Sequence, residues 1–249
     1  MQPSGTRFQI VRKTGARGQF AAVALLLAVS VFWLSTILPP GGLRAGSFAA
    51  LTAFAVVAVT AFVGMGTAYP HGRLGLCNVV TLARAALAAV LAAPLVTPDL
   101  LPRSGELGWM LVGVALVAFA LDGVDGWLAR RSGLASRFGA RFDMEVDAAL
   151  ALILALLALQ ADKAGSWVLL LGAMRYLFVA ASWVLPWLSG DLPERFSRKT
   201  VCVVQIGVLV ALLSPLVQPP VSSLMALAAT GLVAWSFAVD IVWLARRRA

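Results

Sequence analysis

Apolar runs of about 20 residues recur along the whole chain, and that is the length a helix needs to cross a hydrocarbon core roughly 30 Å thick. The runs fall at 20–38, 47–66, 79–96, 108–129, 142–160, 165–187, 201–216 and 221–244. Of the 249 residues 61% are hydrophobic and only 12% charged, more apolar surface than a soluble core would hide. The chain therefore reads as an all-α integral membrane protein with about eight transmembrane helices.

An even number of spans puts both termini on one side, and basic residues tell which side. One set of connecting segments carries Arg7, Arg12, Lys13, Arg17, Arg73, Arg130, Arg131, Arg137, Arg141, Arg195, Arg198, Lys199, Arg246, Arg247 and Arg248. The opposite set carries only Arg44, Arg103 and Lys163. Both termini and the 130–141 segment are thus expected in the cytoplasm, with the protein in a bacterial inner membrane. The net charge of +9 is accounted for by these flanking positions and anionic lipid, so no nucleic-acid partner is expected. The first run follows a basic start, as a signal peptide does. It exceeds the usual core of about 7–15 residues and "LPPGG" offers no small-x-small cleavage site, so it reads as a retained helix. Cys77 and Cys202 show no metal or disulfide spacing, and the single histidine, His71, excludes a histidine-rich metal cluster. "GMG" at 64–66 lacks the βαβ context of a nucleotide fingerprint and reads as a loop.

The first two runs contain no ionisable residue; from Asn78 onward polar side chains enter the spans. The densest stretch is "LDGVDGWLARRSGLASRFGARFDMEVDA", residues 121–148. A carboxylate at mid-membrane costs about 2.5–3.5 kcal/mol on insertion scales, and clustered carboxylates also repel one another. Asp122 and Asp125 are spaced i,i+3 at the end of one span, and Asp143 and Asp147 i,i+4 at the start of the next, so each pair shares a helix face. Two antiparallel helices would bring the pairs together around a hard, oxygen-seeking cation such as Mg²⁺ or Mn²⁺. The plainer alternative is a set of solvated helix-end charges. Gly126 and Gly139 leave room for close approach, and Arg130 is placed to reach a phosphate. Together these features suggest a pyrophosphate-bearing substrate at the cytoplasmic membrane surface.

Read in order, the stretch is Asp122-x2-Asp125-Gly126-x2-Ala129-Arg130-x8-Gly139-x3-Asp143-x3-Asp147. It resembles the signature of the CDP-alcohol phosphotransferases (CDP-alcohol phosphatidyltransferases), and the upstream "NVVTLAR" resembles the Asn-x-x-Thr-x-x-Arg segment that opens that family's first core helix, giving Asn78, Thr81 and Arg84. The resemblance implies a six-helix catalytic core over 78–249, preceded by two accessory helices within 1–77. It implies transfer from a CDP-linked donor, usually CDP-diacylglycerol, to a small alcohol with release of CMP. Asp122, Asp125, Asp143 and Asp147 would hold two divalent ions, and Asp147 would also take the acceptor's proton. Asn78, Thr81, Gly126, Arg130 and Ser136 would contact the CDP portion, and a homodimer in membrane lipid would be expected. No serine or cysteine nucleophile stands out, so direct transfer is expected.

The acceptor is less constrained. Arg175 stands in the middle of an apolar run, where an arginine is a functional candidate by default. Arg137, Arg141, Arg198 and Lys199 are further candidates, each equally explained by positive-inside topology. If several converge, the acceptor is anionic, such as glycerol 3-phosphate or an inositol phosphate. Asp240 reads as structural, and Trp109, Trp127, Trp183, Trp187, Trp235 and Trp243 as interfacial anchors. Two other readings remain open: transfer from a CDP-linked small alcohol to a lipid acceptor, and a divalent-cation transporter. Transporter folds commonly carry repeated or inverted halves, whereas the acidic segment occurs once.

Overall fold

The computed structural model describes residues 5–37, 44–97, 105–190, 192–193 and 195–247. All the regular structure in them is helical: α1 Gly5–Ile37, α2 Arg44–Ala68, α3 Leu76–Leu91, α4 Gly105–Ser132, α5 Arg137–Gln160, α6 Leu169–Val184, α7 Phe196–Leu213 and α8 Val221–Arg246, with short 3-10 turns after α3 and around α6. Seven of the eight contain spans long and apolar enough to cross a membrane. The exception is α5, whose first three turns carry Arg137, Arg141, Asp143, Glu145 and Asp147 before its apolar body begins. The protein is an integral membrane protein with an all-α fold. "GMG" lies inside α2, not in a loop; in a run this apolar, hydrogen bonding within the helix outweighs the two glycines' preference for coil. The "LPPGG" segment, Arg103 and Arg248 lie outside the described residues.

The chain forms two compact units, Met1–Thr97 with Gly113–Asp147, and Pro98–Val112 with Ala148–Ala249. In the first, α3 is the central element. Ala85, Ala86 and Ala89 share its buried surface with Leu82 and Val90, and small side chains let neighbouring helices come close. Against them pack Phe20 from α1, Phe54 and Met65 from α2, and Phe138 and Phe142 from α5. The outward faces of α1 and α2 expose Leu25, Leu26, Val29, Val56, Val59 and Val63, a surface suited to acyl chains.

In the second unit Gly172 of α6 sits directly on α5: a Cβ there would lie 2.7 Å from both Ala151 O and Leu152 Cα. Its loops are tied by Lys163, a buried residue whose Nζ donates to Ser214 O at 3.1 Å and to Val217 O at 2.8 Å. The Lys163 carbonyl in turn accepts from the hydroxyls of Ser222 and Ser223. Burial pushes its ammonium below the ordinary lysine value.

Candidate active site

α3 begins after Gly75, which is extended (φ −71°, ψ 144°). Asn78, Thr81 and Arg84 follow at intervals of three, so they line one stripe of the helix, and all three are buried. Facing them are the last turns of α4 and the first of α5. The connection between these two helices is shorter than hydropathy suggests, because both continue beyond their apolar runs and leave only residues 133–136 between them. Gly133 (φ +65°) ends α4 in the left-handed conformation that a glycine adopts without penalty. Ser136 caps α5, its Oγ accepting the Gly139 N–H at 3.0 Å.

Arg84 is the focus of the site. Its side chain is 1% exposed, a position that needs partners for every charged group. Nε donates to Ala118 O at 3.2 Å. Nη1 meets Asp125 Oδ2 at 2.8 Å and also donates to Asp143. Nη2 meets Asp122 Oδ1 at 3.0 Å and also donates to Asp147. A guanidinium has five N–H groups; four hydrogen bonds form here, to Ala118 O, Asp125, Asp143 and Asp147, and Asp122 is held as an ion pair. Asp125 is the most deeply held carboxylate, 4% exposed, with the Thr81 hydroxyl 3.2 Å from its Oδ2. That hydroxyl also lies 2.9 Å from Cys77 O, so its one proton is shared between the two acceptors.

Asp122, Asp143 and Asp147 each offer an oxygen, all within 4.8 Å of one another, and each side chain remains about a third open. This donor set fits a hard divalent cation. One guanidinium cannot balance four ionised carboxylates, and each carboxylate has a second oxygen besides the one Arg84 engages. Asp125 stands outside the three-residue group and is engaged by Arg84 and Thr81 instead.

The remaining residues singled out from sequence divide as follows. In the first unit, Asn78 Oδ1 lies only 3.0 Å from where a Cβ on Gly139 would be, and Ser136 Oγ is 3.3 Å from the same point, so the three meet. Arg130 is exposed and its guanidinium turns back over Gly126. Arg137 and Arg141 are exposed on the first turns of α5. In the second unit Arg175 is half-buried on α6 and Lys199 is exposed on α7. Arg198 is paired with Asp240, Nε to Oδ2 at 3.2 Å, and donates to Pro193 O at 3.0 Å; Arg195 also approaches Asp240, at 3.7 Å. In the sequence Arg84 closes a recognisable segment and is a charge inside an apolar helix, but neither signal gives it a role at the site.

A family model for CDP-alcohol phosphatidyltransferases matches residues 74–242, well over half of the chain. The protein belongs to the CDP-alcohol phosphatidyltransferase family. It is thereby a membrane transferase of phospholipid synthesis, of a family that works on CDP-linked alcohols and is in general dependent on divalent metal. No curated protein and no solved structure matches it.

Proposed function

We propose that this protein moves a phosphatidyl group from CDP-diacylglycerol to a small anionic alcohol and releases CMP. The observation that carries this reading is the convergence of Asp122, Asp143 and Asp147 oxygens, with Arg84 holding Asp125 alongside, inside the family-matched segment. Asp122, Asp143 and Asp147 would hold Mg²⁺ or Mn²⁺ with Asp125 in support, two ions by family resemblance. The metal would supply charge neutralisation for a pyrophosphate and lower the pKa of the acceptor hydroxyl.

Around it, Asn78, Thr81, Gly126, Arg130 and Ser136 bind the CDP portion. Asp147 accepts the proton of the acceptor hydroxyl. The acceptor oxygen bonds to the phosphorus of the phosphatidyl group as the bond from that phosphorus to CMP breaks, in one direct displacement. Arg175 is the leading acceptor contact, because an arginine inside a span such as Ser166–Val184 is expensive to keep without a use. Arg137, Arg141 and Lys199 are further candidates; Arg198 ranks below them, since Asp240 already balances its charge. The distribution of basic residues supports a cytoplasmic site and cytoplasmic termini in an inner membrane, and the family resemblance supports a homodimer.

The test is CMP release by purified protein in mixed micelles containing CDP-diacylglycerol and one of glycerol 3-phosphate, inositol phosphate, inositol or serine. We expect release with an anionic alcohol, loss of release on chelation and return with Mg²⁺. Asp147→Asn should cut turnover by about 10²-fold or more while keeping CMP binding. Turnover only with a CDP-linked small alcohol and a lipid acceptor would reverse the donor assignment. No CMP from any pair, with metal flux in proteoliposomes, would favour a transporter.

A further inference from the structure

Tyr69 lies outside the family-matched segment, one residue past the end of α2. Its ring is buried, 3% exposed, edge-on to Phe138 at 5.7 Å and to His71 at 5.3 Å. The hydroxyl donates its one proton to Arg73 O at 2.9 Å. Burial raises the phenol above its ordinary value, so it keeps that proton throughout the physiological range. Its oxygen accepts from the Gly75 N–H at 3.0 Å and from Asn78 Nδ2 at 3.4 Å. A phenol has one donor and two lone pairs, and here all are committed.

This arrangement fixes the polarity of a second side chain. Toward Asn78 the Tyr69 oxygen has only lone pairs to offer, so the amide must present its NH₂ to Tyr69. The Asn78 carbonyl oxygen then points the opposite way, over Gly139, where a Cβ would stand 3.0 Å from it. We infer that Tyr69 is a positioning residue for the nucleotide donor: it locks the Asn78 amide so that its carbonyl oxygen, and not its NH₂, faces the binding site. The inference rests on the proposed role of Asn78 in binding the CDP portion. It gives the segment ahead of the matched core a part in substrate binding that acts through Asn78, although none of its side chains need touch the ligand.

The experiment is a double-mutant cycle on CMP affinity, measured by calorimetry with full-length protein in detergent at saturating Mg²⁺. Tyr69→Phe keeps the ring and removes the hydroxyl. It should weaken CMP by about 2- to 10-fold, the worth of one hydrogen bond, and raise the KM of the CDP donor with kcat little changed. In an Asn78→Ala background it should not weaken CMP further. If Asn78→Ala weakens CMP and Tyr69→Phe leaves it unchanged, the inference fails and the donor site stands. If Tyr69→Phe still weakens CMP when Asn78 is absent, it acts by another route and the amide lock is wrong. If Asn78→Ala itself has no effect, the donor role of Asn78 fails and the inference with it.

Discussion

Arg84 has to be understood by counting charges. Four aspartates surround one buried guanidinium, so the arginine is both the reason they can gather and too little to neutralise them. Removing one partner of a buried pair leaves the others uncompensated and costs about 3–5 kcal/mol in an enclosed site; three of these carboxylates are partly open, which lowers the figure. Arg84→Gln should therefore depress the melting temperature in metal-free detergent solution, and millimolar Mg²⁺ should recover part of the loss. An identical loss with and without Mg²⁺ would make Arg84 a scaffold residue with no bearing on a cation. The aspartates were legible in the sequence because their spacing repeats a helical turn and matches a known signature. The part Arg84 plays was not, since a lone arginine in an apolar run gives no indication of which distant carboxylates it will meet. Tyr69 was less visible still: one hydroxyl in a loop acquires meaning only when Arg73, Gly75 and Asn78 are folded around it.

Hydropathy locates the apolar body of each element and misses what is attached to it. For α5 the apolar run begins at 142, yet the helix starts at Arg137, because Ser136 caps it and amide hydrogen bonding does not depend on apolar side chains. The same holds for α4, which continues through Arg130 and Arg131 to Ser132. Of the motif, Arg130 and Gly139 lie in these extensions and the four aspartates in the turns next to them, so the motif sits where hydropathy reads helix ends least well. Helix crossings are equally hidden. Gly172 looks like any other glycine in an apolar stretch, but the backbone of α5 occupies the space beside it. Gly172→Ala should destabilise the protein by about 1–3 kcal/mol, as overpacking does, seen as a lower thermal midpoint in detergent. An unchanged midpoint would mean that α6 moves away from α5 at little cost.

At the scale of the whole molecule, the proposed orientation follows from the uneven distribution of arginine and lysine. In a Cys202→Ser background, Ala135→Cys places one thiol on the exposed link between α4 and α5, while Cys77 stays buried. An impermeant maleimide should label it in inverted inner-membrane vesicles and not in intact spheroplasts; the opposite pattern would invert the topology. The chain has three lysines, Lys13, Lys163 and Lys199, and the environment of Lys163 gives it a further use. Its amine is buried and donates to the carbonyls of Ser214 and Val217. While the second unit is folded, that nitrogen is out of reach of an acylating reagent. Lys163 is therefore a built-in latent label: its acylation, read on a mass spectrum, records the moment at which this loop cluster opens, with no probe added to the chain.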